Sequence, residues 1–229
     1  SEGLGQDYHV FSVVDVTEIP YKVVARFRSN QISPLLLTHQ LVQIARQYND
    51  AFIFGETDSV GGQVLDLCYR DLEYQNIFCT MTIRGRAGGQ KLVGGLGQKS
   101  KFGVKMSTKV KSVGCSNLKS ITESQKLLIL DHDTIAELTT FVSNGTTFEA
   151  EDGSTDDCVM SLVSFSWLIT QQFFKDWTEG NIRERMYIEQ REILEEQQLP
   201  FPVFDDGEED STFVDEKGEL WEFVGTVNT

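Results

Sequence analysis

Apolar positions recur along the chain with two spacings, one of strands and one of helices. Residues 8–16 are dense in β-branched and aromatic types, Pro20 interrupts, and a second such run spans 21–27, which predicts a hairpin or meander. Thr38 is placed to cap a helix carrying Leu41, Val42, Ile44 and Ala45, ended by Tyr48-Asn49-Asp50. Residues 51–55 read as a short buried strand with Glu56 at its C-terminal end. After a polar turn at 57–59, Val64, Leu65, Leu67, Cys68 and Leu72 give residues 60–72 a helical period, and 77–83 reads as a strand. The stretch 84–105 is rich in Gly and Lys and predicts a mobile hairpin or loop. A helix over 110–124, a strand over 127–130, a helix from Asp131 through Phe141 and a last strand at 148–150 follow. Asp156-Asp157 then open an apolar helix from Cys158 to about Phe174. Residues 181–198 predict a charged helix stopped by Pro200 and Pro202, and 205–222 an acidic, peripheral tail. This order of elements predicts an α/β or α+β domain around a mixed sheet.

At 229 residues the chain has room for one sizeable core. Its 40% hydrophobic and 24% charged residues exclude fibrous and wholly disordered classes. No apolar run reaches the roughly 20 residues that span a bilayer, and the first residues lack the basic and apolar regions of a signal peptide, so an intracellular location is expected. Cys68, Cys79, Cys115 and Cys158 are widely and unequally spaced and read as reduced. The net charge of −15 argues against a nucleic-acid partner until its distribution is considered. Arg84, Arg86, Lys91, Lys99, Lys101, Lys105, Lys109, Lys111 and Lys119 fall between residues 80 and 120 without a single Asp or Glu, which leaves the remainder of the chain at −24.

Acidic groups stand where α/β folds place ligands, at strand ends and helix starts. Glu56 follows Ala-Phe-Ile-Phe-Gly and reads either as a turn residue or as a metal ligand at the rim of the sheet. Asp156 and Asp157 occupy the positive end of an apolar helix; they read as N-capping residues, as metal ligands, or as one of each. Asp7 and Glu2 lie in a glycine-containing lead into the first strand, weak in isolation because Gly and Asp are common in turns. Two or three convergent carboxylates suffice for a hard divalent ion, and two such ions can drive phosphodiester hydrolysis. No G-x-x-x-x-G-K-[ST] or G-x-S-x-G is present. His9, His39 and His132 are too scattered to form a histidine-based site and read as structural or surface residues.

Several segments carry a resemblance. Residues 1–9, Ser-Glu-Gly-Leu-Gly-Gln-Asp-Tyr-His, with Val-Val-Asp-Val-Thr after them, Ser29-Asn30-Gln31-Ile32-Ser33, Asp71-Leu72-Glu73-Tyr74, residues 113–119 and residues 156–163 closely resemble, in order, the C-terminal nuclease domain of large terminases of T-even-like phages. The resemblance implies an RNase H-like mixed sheet flanked by helices over residues 1–177; the basic Gly-rich hairpin insertion in the 80–120 region is longer than the family leads one to expect, and composition makes 178–229 a peripheral charged helix and acidic tail. The resemblance further implies a magnesium-dependent endonuclease, with manganese as substitute, that cuts concatemeric DNA when headful packaging begins and ends. The family's second and third acids fall on Glu56 and Asp157, and Asp7 matches a further acid implicated in cleavage; Glu2 and Gly3 match the same motif, and Asp156 precedes the third acid. The family's first metal-binding Asp stands two residues before Ser-Glu-Gly, upstream of Ser1, and a fragment without it is expected to bind metal poorly and cleave little. Pro34 stands where close relatives carry a histidine, so no role of that histidine carries over.

On this reading Glu56, Asp157 and Asp7 bind metal, while Arg84, Arg86, Lys91, Lys99, Lys101, Lys105, Lys109 and Lys111 contact the backbone of double-stranded DNA. The implied partners are the terminase ATPase domain, the portal protein and the small terminase subunit, in the host cytoplasm during phage assembly and away from membranes. A resolvase- or transposase-type nuclease would share the acidic triad. A docking module with secondary catalysis would instead leave Glu56 and Asp157 far apart.

Overall fold

The computed structural model describes residues 8–58, 60–83, 89–97, 99–145, 147–181 and 183–184, and the backbone of Thr212–Val214 and Leu220–Glu222. The chain divides into two compact units, Ser1–Ile182 and Arg183–Thr229. In the first, β1 (His9–Asp15) and β2 (Tyr21–Ser29) pair antiparallel, with a register shift between Val13 and Val14. Phe11 lies opposite Phe27 and their rings stack at 5.0 Å, a cross-strand aromatic pair. β6 (Leu127–Leu128) adds to β2 in parallel, so this three-stranded sheet is mixed.

The helix after β2 begins earlier than the position of Thr38 suggested. α1 (Pro34–Gln47) is capped by Ser33, whose hydroxyl accepts from the Leu36 N–H at 3.4 Å. Pro34 occupies the first turn, where its missing N–H costs nothing. Thr38 is a buried interior residue whose hydroxyl bonds back to the Pro34 carbonyl. Residues 51–56 are extended but join their neighbours only through isolated parallel bridges, Ile53 with Ile77 and Glu56 with Val104. α2 (Val60–Arg70) then packs against α1 around Leu37, Val42, Val64, Leu65 and Cys68.

The described residues of the Gly- and Lys-rich region hold two strands. β4 (Gln90–Val93) and β5 (Ser100–Phe102) both pair with β3 (Cys79–Thr82), one on each side, rather than with each other. α3 (Thr108–Glu123) is capped by Ser107 and α4 (His132–Thr140) by Asp131. β7 (Phe141–Asn144), which the sequence pattern did not suggest, pairs with β8 (Thr147–Ala150).

α5 (Asp157–Leu168) is apolar on most sides and is accordingly the centre of the core. Cys158, Val159, Leu162 and Val163 are fully buried, with α3 packed on one flank and β1 on another. The helix is shorter than its apolar run. It ends at Leu168 with Ile169 as its C-cap, and a turn around Thr170, whose hydroxyl bonds to the Trp167 carbonyl at 2.7 Å, separates it from a second helical stretch over 172–181. That break lets Phe174 and Trp177 close onto Phe78. All four cysteines are free and buried. No helix among the described residues is long and apolar enough to cross a membrane.

In the second unit, β9 (Thr212–Val214) and β10 (Leu220–Glu222) form an antiparallel pair within the acidic tail. The charged helix expected over 181–198 lies almost wholly outside the described residues.

Candidate active site

Glu56 is held by backbone from two directions. The Thr57 N–H donates to the Val104 carbonyl and the Val104 N–H to the Gly55 carbonyl, both at 2.9 Å, so residues 55–57 run beside the chain leaving β5. Gly103 makes this approach possible: its φ is +65°, and a side chain there would strike the Gly55 carbonyl. The Glu56 carboxylate is half-buried, and among the described residues no hydrogen bond or ion pair reaches it. Burial, and then the charge of Asp58, push its pKa up, while the positive charges of the amino terminus and of Lys111 on α3 act in the opposite direction. A carboxylate in this condition favours a cation beside it.

Asp157 occupies the first turn of α5, and its Oδ2 accepts the backbone N–H of Tyr8 at 3.1 Å. His9 lies close enough to feel the Asp157 charge, yet burial dominates and lowers its pKa. Asp156, in the N-cap position, makes no side-chain capping bond. The expectation that an aspartate of this pair caps the helix through its side chain fails for Asp156. Glu137 of α4 supplies the cap instead: its Oε2 accepts from the N–H groups of Cys158 at 2.7 Å and Val159 at 3.3 Å. Its Oε1 accepts from the Thr155 hydroxyl at 2.8 Å and lies 3.4 Å from the Arg28 guanidinium. Arg28 also donates to Thr155 at 3.0 Å and covers the Tyr8 ring at 3.9 Å.

Glu137, Arg28 and Tyr8 are residues that sequence reasoning passed over. One sign was available. Thr134, Glu137, Leu138 and Phe141 recur at i, i+3, i+4 and i+7, the spacing of a core-facing stripe, and an acid in such a stripe requires a partner.

Lys91, Lys99, Lys101, Lys105 and Lys109 are exposed, and none forms an ion pair among the described residues. They do not share one surface. Met81 lies opposite both Lys91 and Ser100, and Thr80 opposite both Leu92 and Lys101, so Lys91 and Lys101 stand on opposite faces of the sheet. Lys105 immediately follows the partner of Glu56, and its backbone is clamped by the Gln90 side chain through bonds of 2.7 and 2.9 Å. Lys111 is partly buried beside the Phe141 ring.

Asp7, Glu2, Gly3, Arg84 and Arg86 lie outside the described residues. Among the described residues no three His, Cys, Asp or Glu side chains are grouped so as to hold a metal. His132 is exposed beside Asp133, and His39 lies on α1. A family model described as the terminase RNaseH-like domain matches residues 1–165.

Proposed function

Because the chain belongs to the terminase RNaseH-like domain family, we propose that it is the endonuclease domain of a viral genome-packaging motor, dependent on a divalent metal and cutting concatemeric DNA at the start and end of headful packaging. Family membership makes it a terminase nuclease-type domain; the dependence on metal rests on Glu56. A half-buried carboxylate with a raised pKa and no hydrogen bond or ion pair among the described residues is stabilised by a hard cation, and its oxygens are the donors such a cation takes.

Glu56 and Asp157, with Asp7 from the first motif, would hold magnesium or manganese. When bound, the ion supplies Lewis acidity and positive charge for phosphodiester hydrolysis. The chain's own residues do the rest. Tyr8 orients the Asp157 carboxylate through its N–H. Lys105, within the stretch that joins β5 to α3, and Lys109, in the first turn of α3, neutralise phosphates next to the scissile one, and Lys99, Lys111, Arg84 and Arg86, with one of the two opposed lysines Lys91 and Lys101, extend the basic surface. Contacts to phosphates carry no sequence information, so cleavage is expected to be largely independent of sequence. The ATPase domain, the portal protein and the small terminase subunit are the partners this role implies, in the host cytoplasm during phage assembly.

Nicking of supercoiled plasmid with magnesium or manganese tests the proposal, using this chain, the chain extended upstream through the family's first acidic motif, and Glu56→Gln and Asp157→Asn in both. The extended protein is expected to nick only with metal, and each substitution to lower the rate at least about 100-fold, the upper part of the range for groups that orient or tune a metal. Unchanged nicking by folded Glu56→Gln and Asp157→Asn would refute it.

A further inference from the structure

Four backbone N–H groups at the start of any helix lack an intrahelical acceptor, and the residue in the N-cap position ordinarily takes one or two of them. α5 has an acid in that position, Asp156, yet its second and third N–H groups are taken by a carboxylate from another helix. Glu137 is only 5% exposed. Burying a carboxylate is expensive unless it is fully bonded, and this one is: two N–H groups meet Oε2, while the Thr155 hydroxyl and Arg28 meet Oε1. A helix cap alone does not require so much, since the local aspartate would serve.

The same network reaches the Asp157 carboxylate from its other side. Arg28 joins Glu137 and Thr155 to the Tyr8 ring, and Tyr8 donates its N–H to Asp157. The backbone that carries Asp157 and the donor that orients its carboxylate are thus both tied to Glu137. We propose that Glu137 is the positioning residue of the active site, capping α5 from α4 and, through Arg28 and Tyr8, setting the direction of Asp157. This rests on the reading of Asp157 as a metal ligand. Glu137 itself does not touch metal or DNA.

The test is Mn2+ binding, followed by loss of the free-ion EPR signal, in the upstream-extended chain and its Glu137→Asp, Glu137→Gln and Asp157→Asn variants, with amide exchange of Cys158 and Val159 as the second readout. Glu137→Asp keeps the charge but draws the carboxylate back, and is expected to weaken Mn2+ binding about 10-fold, the lower end for groups that orient a ligand. Glu137→Gln keeps one acceptor oxygen and is expected to weaken binding less than Glu137→Asp does. Both should speed exchange of the two amides. A merely structural cap would lower thermal stability and speed exchange while leaving Mn2+ affinity, measured well below the melting temperature, at the parent value. Parent affinity in whichever Glu137 variant folds therefore overturns the proposal. If Asp157→Asn binds Mn2+ like the parent, the metal reading is what has failed; if it loses the ion while the Glu137 variants keep it, the positioning role has.

Discussion

Gly114→Ala is expected to destabilise the domain even though alanine is the better helix former. Gly114 sits on the buried face of α3 against α5, and a Cβ there would lie 2.5 Å from the Val163 carbonyl oxygen and 2.7 Å from Val163 Cγ1. That is about 1 Å inside ordinary van der Waals contact, and the first obstacle is helix backbone, which cannot rotate aside. Overpacking of this kind costs about 3 kcal/mol, at the upper end for one methyl, because two helices must separate. Replacing an interior helical glycine returns about 1 kcal/mol. The net loss of about 2 kcal/mol corresponds to a melting temperature lower by about 4–8 °C for a domain of this size. Gly180→Ala is the control: Gly180 is helical, nothing lies within 4 Å of its Cβ position, and the change should stabilise by up to about 1 kcal/mol. Thermal and urea denaturation of both variants settle the matter. If Gly114→Ala melts at or above the parent temperature while Gly180→Ala behaves as expected, the close α3–α5 contact is wrong, and with it the support for the buried α5 that carries Asp157.

Two further outcomes follow from charge. The folded-state pKa of Glu56 is raised above its ordinary value, so folding is penalised at pH values above the raised pKa, and the penalty fades as pH falls toward the unfolded value. Without metal, Glu56→Gln should therefore be more stable than the parent at pH 7.5 and lose that advantage near pH 4, as followed by urea denaturation; equal stability at pH 7.5 would contradict the raised pKa. For DNA, removing one lysine that neutralises a phosphate flattens the plot of log affinity against log salt by about 0.9. Lys105→Ala is expected to do so in fluorescence anisotropy titrations, whereas of Lys91→Ala and Lys101→Ala only one should, since those side chains lie on opposite faces; equal effects of the two would contradict the strand register.

What could be read from the sequence is governed by how local the cause was. The hairpin of β1 and β2, the helices α2 to α4 and the position of Glu56 follow from short-range periodicity. The Ser33 cap was missed although Ser-Pro is a local signature, because the apolar stripe pointed to Thr38, further along the chain. β4 and β5 were beyond reach for another reason: seven glycines within residues 84–105 look like a loop, and only pairing on both sides of β3 makes strands of the lysine-bearing segments. β7 is a four-residue strand defined by β8, with no apolar alternation of its own. The break at Thr170 lets Phe174 and Trp177 pack on Phe78, a partner far away in the chain that no local pattern announces.

The two glutamates that matter most show why site residues are harder to read than elements. Both interrupt apolar surroundings, and composition treats them alike. Glu137 is the more deeply buried, yet every oxygen has donors, Arg28 balances its charge, and nothing about it calls for a ligand. Glu56 is less buried, yet no described residue bonds to its carboxylate, and its nearest acidic neighbour makes the charged form harder to hold. On the proposed reading, compensation separates the acid that is fully partnered within the fold from the acid that would take a cation, and burial alone would rank them in the other order. The same criterion bears on how a chain of net charge −15 would act on DNA under the proposed function: an uncompensated carboxylate repels phosphate until a divalent ion reverses the local sign, so binding at the proposed cutting site should depend on metal while binding through Lys105 and its neighbours should not.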